Sequence, residues 1–191
     1  MARPKGFNPA LIVPRLAGAF RALGYAGASL ADIEAATGLG RQSLYDTFGD
    51  KAAMYTLAVV AEVRAEEARV SRLFDGAAGG MATLRGYLTD RASRIAADRG
   101  CLLSNAAIEA LPASVDKSAL LALQVRVMGA IATVLSMASR RGEVRATPPV
   151  PVLARLVVSH WAGMPVRLGA GASEAELVAD VEALLAVLRG R

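Results

Sequence analysis

Apolar residues recur along this chain at the three- and four-residue spacing of helices, and no segment alternates with the two-residue period of a strand. The last segment shows the pattern most cleanly: after a capping Ser173, the residues Leu177, Val181, Leu184, Leu185 and Leu188 fall on one helical face. Asn8-Pro9 predicts a helix start, with Leu16, Phe20 and Leu23 on one face and Gly24 closing it. Pro14 lies inside this segment and is expected to delay or kink its first turns. Ser29 with Asp32 resembles a capping box for a helix carrying Leu30, Ile33 and Ala36 inward and ending at Gly38. Further helices are predicted at about 41–48, 51–73 (capped by Asp50, with a stripe of Met54, Leu57, Ala58 and Ala61), 81–98, 102–111, 116–141 and 152–168. Gly76 to Gly80, Pro112, the Pro148-Pro149-x-Pro151 run and Gly169-Ala170-Gly171 punctuate them. The expected fold is all-α, with about nine helices.

Composition sharpens this reading. Hydrophobic residues make up 54% and charged residues 20% of 191, enough for a real core and too apolar for global disorder. A net charge of +5 favours an anionic partner only modestly. The segment from Ser118 to Ser139 comes nearest to a membrane span, but Gln124 and Arg126 interrupt it, so a buried core helix and no membrane partner are expected. Cys101 is the only cysteine, so no internal disulfide forms, and the basic start from Met1 to Gly6 lacks a signal core. A cytoplasmic location is expected. His160 is the only histidine and no motif frames it or Cys101, which argues against a zinc site, a Cys–His nucleophile or any cofactor.

The stretch from Leu30 to Lys51 carries the chemistry. Two short predicted helices hinge at Gly38 and Gly40, and the second shows polar side chains on one face with Leu44 and Phe48 on the other. A DNA-reading helix-turn-helix needs this arrangement, one helix bracing on the backbone and one entering the major groove. Residues 1–50 are therefore read as a helix-turn-helix DNA-binding domain and 51–191 as a ligand-binding and dimerisation domain, the helix at 51–73 connecting them. Arg41, Gln42 and Ser43 open the second helix; arginine suits guanine O6/N7 and glutamine suits adenine N6/N7. Tyr45 and Lys51 are read as phosphate contacts, Lys51 aided by the amide-rich start of its helix, with Tyr45 as a plain packing residue the alternative. Asp46 is open between accepting from a cytosine amine, pairing with Arg41 or Arg15, and facing solvent.

The order Phe20, Gly24-Tyr25, Ser29-Leu30-Ala31-Asp32-Ile33, Gly38-Leu39, and Ser43-Leu44-Tyr45-x-x-Phe48-x-x-Lys51 resembles the DNA-binding domain of the TetR family of bacterial regulators. Arg99-Gly100-Cys101-Leu102-Leu103-x-Asn105 and the final helix pair resemble one branch of it. The resemblance implies a homodimer, joined through the last two helices, on a palindromic double-stranded operator and released by a small molecule. It also places Ser29 on the DNA backbone and Thr47 where the family often carries a DNA-contacting histidine. Gly40 departs from the serine or threonine common at that cap.

For the effector, Phe74, Asn105, Met128, Trp161 and Met164 are the candidate pocket residues, and their chemistry suggests a largely apolar ligand. Asn105 and Glu109, four apart on one helix face, fit a pocket, a solvated face or an interface equally well. Cys101 reads first as a small buried apolar residue, with redox or metal sensing second. Two other functional readings stay open: an activator or dual regulator of the same fold, and an all-helical small-molecule-binding protein that no longer binds an operator.

Overall fold

The computed structural model describes residues 7–75, 79–145 and 147–189, with the side chains of 74 and 75 excepted. Nine helices and no strand occur among the described residues: α1 (Pro9–Gly27), α2 (Leu30–Thr37), α3 (Arg41–Phe48), α4 (Lys51–Asp75), α5 (Met81–Ala97), α6 (Leu102–Ile108), α7 (Ser118–Arg140), α8 (Val150–Gly169) and α9 (Glu174–Leu188). They form two compact units. One runs through Arg64 and takes in Leu102–Leu120; the other holds Ala65–Cys101 and the chain from Leu121 onward. The first unit is thus larger than the opening helices alone, because α6 joins it.

In the first unit, Leu16, Phe20, Ile33, Leu44, Met54 and Tyr55 are fully buried and tie α1 to the helices that follow. Cutting one of these core aliphatics to alanine costs roughly 2–5 kcal/mol. Asn8 caps α1 by accepting from Ala10 N–H at 3.0 Å. Pro14 neither delays nor ends the helix. The missing amide would serve the Ala10 carbonyl, which lies in the exposed first turn. The break falls instead at Gly24, whose φ of 71° and ψ of 177° are non-helical inside α1. Leu23, expected on the inner face, is exposed. On α2 the inner positions are Ile33 and Thr37, not Ala36, which is exposed. Threonine can be buried there because its hydroxyl donates to Ile33 O at 2.7 Å and accepts from Leu39 N–H at 3.3 Å. Asp50 caps α4 through Ala53 N–H at 2.8 Å, while Leu57 of the expected stripe faces outward.

In the second unit α5 packs against α8 and α9, which also pack on each other. The whole predicted stripe of α9, from Leu177 to Leu188, is buried, and Ser173 with Glu176 forms a complete capping box. The α7 helix is long and apolar enough to cross a membrane by length and composition, yet 39% of that window is buried and Arg126 forms an ion pair with Glu67 of α4. Its inner face is Leu123, Val127, Ile131, Val134 and Leu135; Leu121 and Val125 are exposed, so α7 is not enclosed all round.

Candidate nucleic-acid interface

The α2–α3 pair shows its polar face outward. Leu44 and Phe48 are buried, whereas Arg41, Gln42, Ser43 and Tyr45 are exposed and Thr47 is half-buried. Tyr45 is 44% exposed, so it is not a core residue. Gly40 offers no side-chain cap to α3, and Glu34 of α2 supplies one, its carboxylate accepting from Arg41 N–H at 2.6 Å. That bond fixes where α3 begins relative to α2. Gly38 ends α2 in the left-handed conformation at φ 74°, and Arg15 of α1 donates to Thr37 O at 3.1 Å. Arg15 is therefore engaged with the turn. Asp46 pairs neither with it nor with Arg41, but accepts from the Gln42 amide at 2.8 Å.

Ser29 caps α2 through a complete capping box, its hydroxyl accepting from Asp32 N–H at 3.2 Å and donating to the Asp32 carboxylate at 2.5 Å. These bonds, the hydroxyl first and the Ser29 backbone second, hold the exposed Asp32 carboxyl below its usual range. Lys51, at the start of α4, is half-buried, with its ammonium 4.7 Å from the centre of the Tyr25 ring. The arrangement is a row of exposed donors on α3, with hydroxyl and ammonium groups at the starts of α2 and α4. Such a row suits hydrogen bonding to base edges and phosphates.

The described candidate pocket residues divide between the two units. The Phe74 side chain lies outside the described residues. Asn105 belongs to the first unit, where its amide donates to Arg21 O of α1 at 3.1 Å. Met128, Trp161 and Met164 lie in the second unit, half-buried, buried and buried. Trp161 is engaged: the fully buried Arg91 guanidinium stacks 3.5 Å over its ring and donates to its carbonyl at 3.2 Å. Arg91 also donates to the Cys101 sulfur at 3.6 Å, so the buried Cys101 faces a cation rather than a purely apolar wall. Beside it the buried Glu66 carboxylate accepts from Tyr87 OH at 2.7 Å and from Arg69 and Arg94, each at 3.3 Å. Burial, and then the Glu66 charge, push the Tyr87 phenol far above its ordinary value.

This buried polar cluster is absent from the largely apolar pocket chemistry read from the sequence. Sequence reasoning missed it because Glu66, Tyr87 and Arg91 look like solvated-face residues until α4 and α5 meet. The i, i+4 relation of Tyr87 to Arg91 was the only available signal. No group of three or more metal-ligating side chains occurs among the described residues.

Comparison with known proteins places this architecture. No protein-family model matches the sequence. An uncharacterised HTH-type transcriptional regulator of Bacillus subtilis, YezE, is 30% identical over 115 residues, 59% of this chain and 59% of that protein. The chain thus matches less than two thirds of that relative's length. A cysteine mutant of the TetR-family regulator CifR, in complex with 26-base-pair operator DNA, is 25% identical, with a TM-score of 0.80 over 98% of this chain and all of that one. A TetR-family regulator from Agrobacterium tumefaciens shares the fold at a TM-score of 0.83 and 19% identity, covering 96% of this chain and 100% of its own. The chain thus shares the fold of TetR-family transcriptional regulators, and the motifs of its first helices resemble those of that family's DNA-binding domain.

Proposed function

We propose that the protein is a sequence-specific, operator-binding repressor that acts as a homodimer in the cytoplasm and is released by a small-molecule effector. The observation that carries the reading is the exposed row Arg41, Gln42, Ser43 and Tyr45 on an α3 whose Leu44 and Phe48 anchor it in the core. The CifR relative of the same fold is held on operator DNA, which supports the same use of this face. In this reading Arg41 and Gln42 read base edges with Ser43 beside them, while Ser29, Tyr45, Thr47 and Lys51 hold the backbone. One such helix supplies two or three specific contacts at roughly 1–3 kcal/mol each, too little to find one site in a genome. A dimer doubles that sum.

The α8–α9 pair supports a dimer face. A groove of about 490 Å³ opens between the two helices, lined by Leu156, His160, Arg167 and Val187 among others. Val166 and Val187 are 68% and 55% exposed in the single chain, an arrangement suited to an isologous helix pair. The effector site is proposed for the second unit near Met128, Trp161 and Met164. There the Arg91–Glu66 cluster would reward a ligand carrying a polar group alongside apolar surface.

Selection from random duplex DNA with the purified protein tests the reading. Enrichment of a palindrome is expected. An unenriched pool, after unfolding and refolding to strip bound ligand, would contradict operator binding and favour a binding protein without it.

A further inference from the structure

A carboxylate is tied into the same corner as Lys51, where a negative charge works against a polyanion. The Glu109 carboxylate lies 3.1 Å through each oxygen from Tyr25 N–H and 2.9 Å from the Tyr55 hydroxyl. Gly24 admits it: a Cβ there would collide with a Glu109 oxygen, and the backbone at φ 71° suits glycine. Asn105, one turn earlier on the same chain segment, ties the other end of the turn through Arg21 O. The Tyr25 ring, so anchored, packs edge-to-face on Tyr55 at 5.2 Å and presents its face to the Lys51 ammonium at 4.7 Å.

We propose that Glu109 is a positioning residue for the Lys51 phosphate contact. It fixes the Gly24–Tyr25 turn, and the Tyr25 ring holds the Lys51 ammonium where DNA needs it. The inference rests on the DNA-reading function proposed above.

The test uses the full-length protein and the duplex that wild type enriches, with dissociation constants measured across salt concentrations. If Glu109 were only a nearby anion, Glu109→Gln would strengthen binding by removing repulsion. The positioning role predicts weaker binding to all sequences alike. It also predicts a salt slope falling toward that of Lys51→Ala, by about 0.9 for each phosphate that is no longer neutralised. In the Lys51→Ala background, Glu109→Gln should change neither quantity further. Tyr25→Leu, which leaves the Glu109 bonds to the backbone intact, should weaken binding about two- to five-fold. It also decides the matter if Glu109→Gln fails to fold. Unchanged or tighter binding by either folded variant overturns the inference and leaves DNA reading standing. A wild type that enriches no duplex removes both.

Discussion

Arg41 is exposed at the first position of α3, with its backbone N–H already taken by Glu34, so its guanidinium is the group aimed outward. Replacing Arg41 by Ala should relax base preference at one symmetric pair of operator positions, at about 1–3 kcal/mol per half-site. Repeating the duplex selection with the variant checks this, and an unchanged consensus would remove Arg41 from the readout. At this scale the exposure of the candidate interface was legible in the sequence. The alternation of Leu44 and Phe48 with Arg41, Gln42, Ser43 and Tyr45 fixes which side of a short helix is wet. What the alternation does not encode is whom a polar residue meets. Asp46 bonds Gln42 one turn back, and Asn105 reaches a carbonyl of α1 far away in sequence.

Helix starts show where local reading stops. Ser29, Asp50 and Ser173 cap their own helices within three residues, and those starts are readable from the sequence. At Gly40 and Gly80 no local side chain serves, and Glu34 and Glu143 reach across to accept from Arg41 and Met81 N–H. Glu109 does the same behind Gly24, at the kink of α1. In each case a glycine precedes the amide, and at Gly24 and Gly80 the carboxylate occupies the space a Cβ would take. Gly24→Ala should therefore combine a positive-φ penalty of roughly 1–3 kcal/mol with expulsion of the Glu109 carboxylate. A lowered melting temperature checks it; an unchanged one would show that the kink is not held this way.

On α8, burial depresses the His160 pKa below its ordinary 6.5, Asp180 raising it and Arg167 lowering it as lesser effects. Its Nε2 has no hydrogen-bond partner among the described residues. The unfolded chain takes up this proton at higher pH than the folded one, so the contribution is full above pH 6.5 and lost as pH falls below it. Thermal melts should therefore lose more stability between neutral pH and the lower end of that window in wild type than in His160→Gln. Equal losses would mean that His160 is not desolvated in solution.

Over the whole molecule, the all-α class and most helix bounds followed from periodicity, because amphipathic helices declare their inner faces. The grouping of helices did not. Nothing local to α6 says that it packs with the opening helices, since Asn105 and Glu109 acquire that meaning only beside Arg21 and Tyr25. Which apolar residues stay outside the core was not legible either: Leu121, Val125, Leu156, Val166 and Val187 remain exposed.

The proposed function stands or falls on whether the α3 face reads a DNA sequence. Its most direct test is the affinity of the refolded, ligand-free protein for its enriched palindrome against a scrambled duplex of equal length at physiological salt. A preference of roughly a thousand-fold or more for the palindrome is expected. Equal affinity for both duplexes, with the same salt slope, would mean that the face binds charge alone and would contradict it.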